Sequence, residues 1–140
     1  MCGEIDENSL IGQEILERLT VMSGMLGVKA VDVGGPAPDA LASAEGRAAY
    51  MEQIFRAGLT RALSDSTSVE SEDAVDAVAA QAIAFGRLAG FMAGQLPPEA
   101  DLFRSVVEAV TAGYAETARL AERHAKQHAD PHGHPHDHHH

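Results

Sequence analysis

Apolar positions recur at intervals of three and four residues over four stretches of the chain, separated by runs rich in glycine, proline and hydroxyl side chains. In the first stretch Leu10, Ile11, Ile15, Leu19, Met22 and Leu26 line one side, leaving Glu14, Glu17 and Arg18 mostly outside the stripe. This predicts an amphipathic helix capped by Asn8 or Ser9 and ending near Leu26, with Gly27 as its C-terminal cap. Val28 to Asp39 breaks the pattern, because Gly34-Gly35 is followed by Pro36 and Pro38, and it reads as a linker. A second clean stripe follows at Leu41, Ala44, Ala48, Met51, Phe55, Leu59 and Ala62. Asp39 or Ser43 opens that helix, and the hydroxyl-rich run Ser64 to Ser68 is expected to end it.

The third stretch, Ala74 to Leu96, is the longest weakly charged run and carries small residues spaced by four at Ala82, Gly86, Gly90 and Gly94. Residues four apart are neighbours on a helix surface, so this ridge invites close approach of another helix, within the bundle or across a dimer. Three interior glycines otherwise weaken a helix by about 1 kcal/mol each relative to alanine. The helix is therefore expected to lie at the centre of the fold, started by Ser71 with Glu72 and Asp73 and stopped by Pro97 and Pro98. Its length would span a bilayer, but Arg87 at its middle, Gln81 and Gln95 near its ends, and an Ala/Gly composition favour a soluble core helix. A fourth helix is expected from Pro98 to about Gln127, apolar at Leu102, Phe103, Val106, Val107, Val110, Tyr114 and Leu120. The predicted fold is all-α: a four-helix bundle over residues 1–127, with a disordered His-rich C-terminal tail over 128–140.

Composition sharpens this picture in two ways. Aromatic residues are 4% of the chain and Trp is absent, so the core must be built largely from Ala, Leu, Val, Ile and Met. Ten basic against 21 acidic residues give a net charge of −11, which excludes nucleic acid and anionic membrane surfaces as expected partners. A single Cys2 rules out an intramolecular disulfide and, with no charged-then-apolar leader, points to the cytoplasm.

Candidate chemistry is concentrated at the C-terminal end. Seven of the eight histidines fall among the thirteen residues from His128 to His140, interleaved with Asp130, Asp137, Pro131, Gly133 and Pro135. Pro131, Gly133 and Pro135 are expected to prevent a helix there, while imidazole and carboxylate suit Ni²⁺, Zn²⁺, Co²⁺ or Cu²⁺. The expected metal ligands are His124, His128, His132, His134, His136, His138, His139 and His140, of which the first two lie one helical turn apart. In composition the tail is similar to those of nickel and zinc metallochaperones such as urease and hydrogenase accessory proteins; the similarity covers the tail alone. It implies buffering of nickel or zinc, or delivery to a metalloenzyme client.

Other chemistries fail on spacing. A di-iron bundle needs Glu-x-x-His pairs, and the positions three before His124 and His128 are Ala121 and Ala125. No nucleophile has a partnered base, and the Gly-x-x-x-Gly repeats lie inside a helix rather than between strand and helix. The expected function is non-enzymatic metal binding through the tail. The alternative is a homodimeric helical interaction module with an incidental tail.

Overall fold

The computed structural model describes residues 7–32 and 34–132. Among these the chain is all-helical: α1 (Glu7–Met25), α2 (Ala44–Thr67), α3 (Ala74–Ala93) and α4 (Leu102–His132), with single 3-10 turns at Ser71–Asp73 and Pro98–Ala100. It divides into two compact units, Met1–Gln95 and Leu96–His140.

In the first unit, α1 ends as its sequence predicts. Gly27 takes a left-handed φ of 79°; its N–H reaches the Gly24 carbonyl at 2.9 Å and the Val28 N–H reaches Ser23 at 2.8 Å. That pair of bonds satisfies carbonyls the helix would otherwise leave open. In the linker, the Asp32 carboxylate accepts from the Gly34 N–H at 2.9 Å, tightening the turn into Gly34-Gly35.

The entry to α2 is at Ser43 rather than Asp39. Its hydroxyl accepts from the Gly46 N–H at 3.0 Å, and Arg47 donates to the carbonyls of Leu41 and Ala42 at 3.0 and 3.1 Å, tying the preceding turn to the first turn of the helix. That turn needs a left-handed Ala40, with φ 55°. The hydroxyl-rich run ends α2 as expected, with Thr67 its last residue and Ser68 its C-terminal cap. Thr67 Oγ1 donates back to the Leu63 carbonyl at 2.9 Å, Arg61 pairs with Asp65 at 3.2 Å, and Ser66 is engaged by α3. These side chains bond to the existing turn instead of competing with it.

α2 and α3 form the principal helix pair. Half-buried Gly58, Ala62 and Ser66 repeat every four residues along α2, and half-buried Ala74, Ala77 and Gln81 along α3. Gln81 Nε2 joins the two faces by donating to Ser66 Oγ at 2.9 Å and to its own helix at Ala77 O, 3.0 Å. α1 reaches α3 through Arg18, whose guanidinium donates to the Gly94 carbonyl at 3.4 Å, where the helix dipole favours positive charge.

Two expectations for α3 are corrected. The helix ends at Ala93, three residues before Leu96, with Gly94 as its cap. And Gly86 and Gly90 of the ridge are not packed among the described residues, since a Cβ placed at either meets nothing outside its own helix within 4 Å. Toward α2 the helix presents Val78, Gln81, Ala82 and Phe85, so only Ala82 of the ridge lies on that side. Among the described residues only Ala93 (7% exposed) and Gln95 (4%) are buried. Gln95 Nε2 donates to Phe91 O at 3.0 Å, while its Oε1 is buried with no partner. α3 thus makes the contacts of a central helix without being enclosed as a core helix.

In the second unit, Pro98 opens a 3-10 turn rather than the fourth helix. Asp101 adopts a left-handed φ of 52° and separates that turn from α4, so the helix begins at Leu102. It then runs beyond the expected limit of Gln127 to His132. Ala125, Lys126 and Ala129 are good helix formers, and Pro131 falls where the helix is already ending, so its missing N–H costs one terminal bond.

Glycine substitutions test the α2 entry. At Gly46 a Cβ would run into the Ala40 backbone, so Gly46→Ala should lower stability even though alanine is the better helix residue. Gly58, with nothing within 4 Å, should gain about 0.5–1 kcal/mol as alanine. Urea unfolding of both variants reads the comparison, and a more stable Gly46→Ala would contradict the described turn. For the cap, Ser43→Ala should cost about 1 kcal/mol and Ser43→Asp should restore most of it.

Candidate functional site

α4 carries the histidines that the structure describes. Leu102 and Val106 are half-buried at its start, and the apolar face continues through Val110 and Tyr114 to Leu120. His124 and His128 follow at one-turn intervals along that face. Their rings touch, with centroids 4.1 Å apart and planes inclined at 49°. Two imidazoles at i and i+4 on one helix face are the spacing with which a helix offers two nitrogens to one metal ion. Arg123 and Lys126 alternate with them in sequence, and Arg119 lies one turn before; these cations oppose an incoming metal cation, so the pair needs further ligands to hold one firmly.

The remaining expected ligands divide at the end of α4. His132 is the last residue of the helix, one further turn beyond His128. His134, His136, His138, His139 and His140 lie outside the described residues, as does Cys2. Among the described residues, no three of His, Cys, Asp and Glu are grouped to hold a metal ion. Among the described histidines, the structure brings His124 and His128 together.

Two apolar grooves in the first unit were not visible from the sequence. One, of about 810 Å³, lies between α1 and α3, lined by Leu19, Ser23, Leu26 and Val28 on one side and by Ala80, Ile83, Ala84, Arg87, Leu88, Phe91 and Met92 on the other. A shallower one, of about 320 Å³, opens between α2 and α3 at Leu59, Leu63, Val78 and Phe85. Neither gathers the convergent polar groups of a catalytic pocket. Ile83 is 74% exposed and Val75 77%. By length and composition Ser71–Ala93 also matches a membrane span, with a hydropathy of 1.3.

Comparison of the chain with protein-family models, with curated proteins and with solved structures finds no match.

Proposed function

We propose that this protein binds a divalent transition metal, nickel or zinc and less readily cobalt, through its C-terminal histidines, and serves the cytoplasm as a metal buffer or as a donor to a metalloenzyme client. The reading assigns it no catalytic step. The observation that carries it is the run of seven histidines in 128–140, which begins at a helical pair whose rings are already in contact at His124 and His128. A helix-held pair lowers the ordering cost for the first two ligands, and a segment of alternating His, Pro, Gly and Asp supplies the rest. With a net charge of −11 the chain as a whole attracts a divalent cation.

A second reading is favoured by the scarcity of buried apolar side chains. Exposed contiguous apolar surface marks an interaction site, and a four-helix bundle completed by a second copy would cover it. In that reading the helices are a non-enzymatic homodimeric module and the tail is incidental.

Calorimetric titration with Ni²⁺ and Zn²⁺ separates the two. Removing residues 133–140, which leaves α4 whole, should abolish most of the binding, and His124→Ala with His128→Ala in the shortened chain should remove the remainder. Affinity should fall as pH drops through about 6.5, because a protonated imidazole has no lone pair to offer and protons compete with the metal. Copper should bind tightest, with nickel and zinc behind, as the general affinity order of nitrogen ligands for divalent metals predicts. Undiminished binding after both changes would place the metal elsewhere, and no binding by the full chain would leave only the second reading.

A further inference from the structure

α3 contains only two charged side chains, Asp76 and Arg87, of opposite sign. Eleven residues make three helical turns with about 20° left over, so the two stand on one face, about 16 Å apart along the axis. Neither takes part in a hydrogen bond or ion pair with the described residues, and both are exposed. The face between them is apolar, with Ala80 and the 74% exposed Ile83. It lies on the opposite side of α3 from Val78, Gln81, Ala82 and Phe85, which line the groove against α2, and its Ala80, Ile83 and Arg87 form part of the wall of the groove beside α1.

We infer that this face is the site of homodimerisation, and that two copies of α3 pack across it antiparallel about a two-fold axis between the helices, level with the midpoint between Ala80 and Ile83. The occupant follows from charge. With that axis Asp76 lies opposite the partner's Arg87 and Arg87 opposite the partner's Asp76, so one surface supplies both halves of two ion pairs, as a self-complementary two-fold contact requires. The same symmetry sets Ile83 over the partner's Ala80, a large side chain against a small one, twice. A parallel pairing would instead put Asp76 on Asp76 and Arg87 on Arg87. Gly86 and Gly90, at the edge of this face with open space around them, let the second helix approach closely. Ion pairs at such a contact fix orientation and register more than they add affinity, which suits an apolar face that otherwise has no reason to choose a direction.

This inference rests on the interaction-module reading of the helices and is independent of the metal. It is tested by charge exchange, read by sedimentation velocity on the full chain with circular dichroism as the check on folding. Asp76→Arg alone sets four arginines across the contact, and Arg87→Asp alone sets four aspartates. Each should weaken self-association by about tenfold or more. Mixing the two variants should restore the dimer as a heterodimer, because every facing pair is again of opposite sign. The double variant should also dimerise with itself. A wild-type chain that stays monomeric in buffer, whether or not it sediments with phosphatidylcholine vesicles, would overturn both this contact and the homodimeric reading. If the wild type and both single variants dimerise equally, the homodimeric reading stands and this face and register are wrong.

Discussion

The contact on which the first unit depends is the seam of small side chains between α2 and α3. Ala62 and Ser66 on one helix face Gln81 and Ala82 on the other, and the Ser66–Gln81 hydrogen bond of 2.9 Å ties the faces together. Side chains this small bury little apolar area, and the larger residues toward α1 line an open groove instead of a filled seam. The exposed Ile83 and Val75 and, among the described residues, a single buried apolar side chain, Ala93, accompany that arrangement.

Helix positions were largely legible in the amino-acid sequence, because the three-and-four spacing of apolar residues and the Gly27 and Ser43 caps are local signals. Ser64 to Ser68 does hold the end of α2, though its hydroxyls return bonds to the preceding turn and the helix persists to Thr67 before it stops. The errors have local causes as well. Asp101, in a left-handed conformation, divided what looked like one helix opened by Pro98. What the sequence could not reveal was which face of α3 meets a neighbour. Small residues occur on several sides of α3, and α2 meets the side that carries Gln81 and Ala82, where Ser66 stands opposite Gln81.

The candidate chemistry was legible in a different sense. A run of histidines announces imidazole whatever its conformation, so the donor set could be named from composition, and the structure adds the contact of His124 with His128 on the face of α4. That pair joins the two halves of the account. A helix face that is apolar through Leu120 and histidine-bearing beyond it would give the proposed ligand set a fixed starting point.

The central claim is that the apolar sides of these helices are covered by a second copy of the chain. Thermal unfolding across a wide range of protein concentration tests it most directly, since a folded dimer in equilibrium with unfolded monomers gains stability by mass action. The account predicts a Tm that climbs steadily with concentration, whereas a Tm independent of concentration over the same range would contradict it.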